Sequence, residues 1–117
     1  MITIHYDPQF GQAIADGQAT TYVDNTIYAH SDPDVTNVVR SVANASVIQE
    51  FRLRVLKDEI KPEEVRFEFR NQPITINEYA VLSDWPKGFA DLDDRHTREI
   101  VTLAMKKRIA DREKGKA

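Results

Sequence analysis

Residues Val65 to Arg70 alternate without a break between apolar and charged side chains, with Val65, Phe67 and Phe69 on one side and Arg66, Glu68 and Arg70 on the other. Successive side chains of an extended chain point to opposite faces, so a strict period of two commits this stretch to a strand with one buried and one solvated face. Such a strand needs partners and a layer to cover its apolar side. Ile2, Ile4 and Tyr6 repeat the pattern against Thr3 and His5 at the start of the chain. A chain of 117 residues has material for one core and not two. This predicts a single domain over residues 1–113 with a frayed basic tail at 114–117.

The segments around these strands carry their own signals. Thr20 to Val23 and Thr26 to His30 are rich in β-formers on either side of Asp24-Asn25, which predicts a hairpin. Ser31-Asp32-Pro33-Asp34 combines capping residues with a proline suited to a first turn, and Val35, Val38, Val39 and Val42 follow at helical spacing. That predicts an amphipathic helix. Residues 47–56 fit two periods: Phe51, Leu53 and Val55 alternate with Arg52 and Arg54, whereas Val47, Phe51 and Val55 are spaced by four. The β-branched and aromatic content favours a strand over one long helix to Ile60.

Asn71-Gln72-Pro73 predicts a turn into a return strand that starts at Ile74 and Ile76 and runs to about Tyr79 or Val81. After the turn Asp84-Trp85-Pro86-Lys87-Gly88-Phe89, a last helix to about Glu113 has Ile100, Val101, Leu103, Ala104, Met105 and Ile109 as its apolar stripe. The expected fold is α+β: an antiparallel sheet of five to six strands with two helices, in the order β-ββ-α-βββ-α.

Composition removes whole classes of function. With no cysteine there are no disulfides, thiolate nucleophiles or thiolate metal sites, which fits a reducing compartment. Met1 to Tyr6 has no basic start and no apolar run of the kind a signal peptide needs, so a cytoplasmic location is expected. The net charge of −3 is uneven: Lys106, Lys107, Arg108, Arg112, Lys114 and Lys116 face only Asp111 and Glu113, a local +4 that leaves −7 on the remaining residues. Cations at the end of a helix complement its dipole, and nucleic acid is not the expected partner.

No residue pattern matches a catalytic, metal or phosphate-binding motif, and no cofactor is called for. His30, Asp32 and Asp34 offer an imidazole and two carboxylates, but both aspartates are explained as helix-start residues. Asp91, Asp93, Asp94 and Glu99 around Arg95, His96 and Arg98 form the densest ionisable cluster, from which a metal-dependent hydrolase could be drawn. A nucleotide-like ligand would need an aromatic face, a hydrogen-bonding side chain and arginines. Phe67, Phe69, Asn77, Trp85, Arg95 and Arg98 supply those types within about thirty residues. The stripe on the last helix exceeds what one small sheet face needs, which points to a homo-oligomer or another protein partner.

The run Val65-Arg66-Phe67-Glu68-Phe69, then Ile74-Thr75-Ile76-Asn77, then Leu82-Ser83-Asp84-Trp85-Pro86-Lys87-Gly88-Phe89 resembles the C-terminal tail of AAA- or ABC-type ATPases of bacterial anti-phage defence. Those tails look like a strand pair followed by Asp-Trp-Pro-Glu-Gly-Phe and a helix. The likeness covers about residues 65–89, and no Walker A or signature motif accompanies it. It implies a fragment, subunit or mimic associated with such systems, with Trp85, Pro86 and Phe89 as structural anchors. The leading expectation is a non-enzymatic binding or regulatory protein that acts through a protein partner, of bacterial or phage origin. The alternatives are a binder that sequesters a nucleotide-like signal without turnover, and the hydrolase.

Overall fold

The computed structural model describes residues 1–84, 86 and 94–115. Strands β1 (Ile2–Tyr6), β2 (Val38–Val42), β3 (Val65–Phe69) and β4 (Gln72–Thr75) form one sheet in the order β2-β1-β3-β4. β1 runs parallel to both of its neighbours, while β3 and β4 form an antiparallel hairpin. Helices α1 (Ala19–His30), α2 (Ser46–Leu56) and α3 (Asp94–Gly115) complete the described fold. The expected antiparallel sheet of five to six strands with two helices is therefore corrected to a mixed four-stranded sheet with three helices. Parallel strands need a crossover of a dozen or more residues, and residues 7–37, from β1 to β2, and 43–64, from β2 across β1 to β3, each provide one with a helix inside it.

Three local expectations fall with that correction. The hairpin expected over Thr20 to His30 is α1, because Ala19, Val23 and Thr26 are buried at helical spacing and tertiary burial outweighs β-propensity. Asp24, expected at a hairpin tip, instead meets the Arg54 guanidinium at 2.6 Å. The capping residues at Ser31-Asp32-Pro33-Asp34 end a helix and do not start one. Ser31 Oγ donates to the Tyr28 carbonyl at 2.6 Å, and Asp32 Oδ1 accepts from the Asp34 amide at 2.9 Å; short polar side chains close turns as readily as they cap helices. Val38 and Val42 lie an even number apart, so they share the buried face of β2 just as well as one face of a helix.

The segment 47–56, for which a strand was favoured, is α2. Every α2 residue except Arg52 is buried. A helix surrounded on all sides shows no clean polar stripe, which is why its helical spacing competed with an apparent alternation. The β3–β4 turn is tighter than Asn71-Gln72-Pro73: Arg70 and Asn71 carry φ of 51° and 66°, and Gln72 already belongs to β4. Two successive positive φ values match the twist of a two-residue hairpin. β4 stops at Thr75, and Ile76 meets Leu82 in an isolated bridge in place of a longer return strand.

The core joins the sheet to α2. Ile2, Ile4, Phe67 and Ile74 on one sheet face pack with Val47, Ile48 and Phe51, all of them fully inaccessible. The Phe51 and Phe67 rings meet edge to face at 6.5 Å. α1 packs against one side of α2 and α3 against another. Thr3, His5, Arg66 and Glu68 project from the opposite sheet face, which none of the described helices covers. Beyond β1 the chain turns back beside β2: Gly11 lies so close to the Val42 carbonyl that a Cβ would overlap it, and the Gln12 amide donates to the Ser41 carbonyl at 2.9 Å.

Candidate functional site

α3 presents two different apolar faces. Ile100 is buried, and Leu103 and Ala104 pack against the core beside it. Val101, Met105 and Ile109 follow one another at i, i+4 and i+8, and they are 51%, 59% and 52% exposed. At 100° per residue these three form a stripe that points away from the core. Arg98, Arg108 and Arg112 fall on the same arc and are exposed. The face is thus an apolar ridge interleaved with arginines.

The far half of the helix is fastened by the turn that follows β4. The Tyr79 hydroxyl donates to Asp111 Oδ2 at 2.9 Å, and the Arg108 guanidinium lies 5.0 Å from the centre of the Tyr79 ring. Lys107 Nζ donates to the Glu78 carbonyl at 2.8 Å and meets Asp58 Oδ1 at 3.2 Å. The turn itself is tied by Asn77, whose Oδ1 accepts from the Tyr79 and Val81 amides at 2.9 and 3.0 Å. These contacts fix which side of α3 faces outward. The hydrogen bond to Asp111, with burial and neighbouring carboxylates adding to it, holds the Tyr79 phenol above its ordinary pKa.

The residues expected to gather around a nucleotide do not form one surface. Phe67 is fully buried and Phe69 is 4% exposed, so neither offers a stacking face. Asn77 spends its carbonyl oxygen on the 77–81 turn, and Arg98 stands on the outer face of α3. Trp85 lies outside the described residues, as does the side chain of Arg95. Of the acidic cluster, Asp91 and Asp93 and the side chains of Asp94 and His96 also lie outside them; Glu99 pairs with Lys57 at 3.9 Å. His30 Nε2 approaches Glu64 Oε2 at 3.9 Å, and its partner carboxylates Asp32 and Asp34 sit in the turn after α1. Among the described residues no three His, Asp or Glu side chains are placed to hold a metal ion.

The exposed part of the stripe was legible in the surplus of apolar residues on the last helix. Its arginines were not: Arg108 and Arg112 read as part of a helix-end charge excess, and Arg98 as a candidate contact for a nucleotide-like ligand, and not as a row on one arc. Among the described residues no helix is long and apolar enough to cross a membrane. No family model matches the chain, and no curated protein or solved structure is significantly similar to it.

Proposed function

We propose that the protein works by holding a protein partner against the outer face of α3, and that the partner presents an acidic amphipathic helix. The observation that carries this reading is the exposed ridge Val101, Met105 and Ile109 with Arg98, Arg108 and Arg112 beside it. An apolar stripe on a helix, flanked by one sign of charge, suits a second helix with an apolar ridge and the opposite charge. A second copy of this chain suits it less well. Antiparallel two-fold pairing centred on Met105 sets Arg98 against Arg112, and parallel pairing sets each arginine against itself. The likeness of residues 65–89 to tails of defence ATPases suggests such assemblies as the place to look for the partner.

Titration with a synthetic amphipathic helix, leucines on one face and glutamates flanking them, tests the proposal. The wild-type protein should bind it, more weakly as salt rises, and Met105→Asp should abolish binding without unfolding the protein. A version of the peptide with lysine in place of glutamate should not bind. Equal binding of the two peptides, or a concentration-dependent dimer that Met105→Asp dissolves, would overturn the acidic-partner reading.

A further inference from the structure

The sheet face opposite the described helices aligns three side chains in one row. The parallel pairing places His5 of β1 opposite Ser41 of β2 on one side and opposite Glu68 of β3 on the other. Partners in a ladder project to the same face, so Ser41, His5 and Glu68 stand side by side on three adjacent strands. They stand toward the carboxyl ends of those strands, where open sheets with parallel strands most often receive ligands. A cleft of about 540 Å³ opens at that end, lined by all three together with Asp7, Arg70 and Asn71.

The polar contacts within the row have a direction. His5 Nδ1 lies 3.1 Å from Glu68 Oε2, which holds the ring through one of its two nitrogens. Glu68 Oε1 is held in turn by Arg66 at 3.3 Å, and Arg66 Nε donates to Thr3 Oγ1 at 3.3 Å. A base held by a carboxylate, next to a hydroxyl and inside a cleft, is the arrangement that activates a serine.

We propose that this cleft is an acyl-transfer site for carboxylic esters, with Ser41 as nucleophile, His5 as its general base and Glu68 as the residue that positions His5. Ser41 Oγ bonds to the ester carbonyl carbon while its proton passes to His5 Nε2. The bond from that carbon to the alkoxy oxygen then breaks, and the alcohol leaves with the proton from His5. Water gives a proton to the same nitrogen and attacks the acyl group on Ser41. The carboxylic acid departs, and the proton returns to Ser41 Oγ. Asn71 and Arg70 line the cleft and carry N–H donors for the carbonyl oxygen as it gains charge.

A fluorophosphonate probe and p-nitrophenyl acetate, applied to the full chain, test this. The expected result is one covalent adduct, mapped to Ser41 by peptide mass, and nitrophenolate release that falls at least about tenfold in Ser41→Ala and in His5→Gln. In Glu68→Gln, kcat counted per site titrated with the fluorophosphonate probe should fall, a normalisation that removes any loss of folded protein. Met105→Asp should leave the release intact, so this proposal and the α3 interface fail separately. No adduct on Ser41 of the folded wild-type chain, or release by Ser41→Ala equal to wild type, overturns it.

Discussion

α2 and α3 pack against each other and are built on opposite terms. α2 has 11 residues and buries nearly all of them, including the charged pair Glu50 and Arg54. α3 has 22 residues, of which Ile100 is the one fully buried apolar side chain among those described, and it turns a second apolar ridge outward. The shorter helix organises the fold, and the longer one uses the fold as a mount. What a helix leaves uncovered, more than its length or its hydrophobicity, tells which of the two roles it has.

The largest test of that contrast is Phe51→Ala in α2. Phe51 is fully buried between the sheet and the helix layer, and its truncation should cost about 3–5 kcal/mol in chemical denaturation. A loss under about 1 kcal/mol would mean that α2 is not the centre of the core. Next comes Arg54→Met. Burial works against the Arg54 charge, yet hydrogen bonds and charge from Glu50, Asp24 and Glu59 hold its pKa above the ordinary value. Removing it strands the Glu50 carboxylate with little solvent, and about 3 kcal/mol should be lost, most of it recovered when Glu50→Leu is added.

Smaller effects belong to α3. The raised Tyr79 phenol predicts that its bond to Asp111 adds stability from neutral pH up to about 10, its ordinary value, and loses that contribution as pH climbs through the higher folded value. Thermal melts of wild type and Tyr79→Phe should therefore differ by a constant amount at neutral pH and converge in strong alkali. Divergence there instead would mean that the hydroxyl acts some other way. Smallest in stability is Met105→Ser, which should change the unfolding free energy by less than about 0.5 kcal/mol while weakening the acidic peptide at least tenfold. A clear destabilisation would show that the ridge packs inward.

How much of this was written in the sequence differs along the chain in the same way. β1 and β3 were plain as strands; the alternation survives in β3, whereas in β1 Thr3 is buried between its neighbours and Tyr6 is no more buried than His5. The hairpin that was expected over residues 20–30 failed because Thr20, Tyr22, Val23 and Ile27 favour strands locally, whereas the helix is stabilised by contacts with α2 that are distant in sequence. α2 was ambiguous because Arg54 is a charged residue inside a buried helix, and its partners Asp24 and Glu59 come from other segments. The parallel pairing could not be read from any one strand. His5 and Glu68 were legible as polar-face residues, but their meeting depends on that pairing, and Ser41 was hidden inside a segment read as helix.

Gly11 has a consequence of a different kind. β2 is an outer strand, and Gln12 can pair with it because Gly11 has no side chain to hold the loop away. A bulkier residue would lift that loop and uncover backbone donors and acceptors on a flat border, the sort that recruits a neighbouring chain. Gly11→Val should then show itself first as slow precipitation of concentrated protein on storage, before any large change in its melting temperature. The smallest side chain on this border acts as a guard on colloidal behaviour.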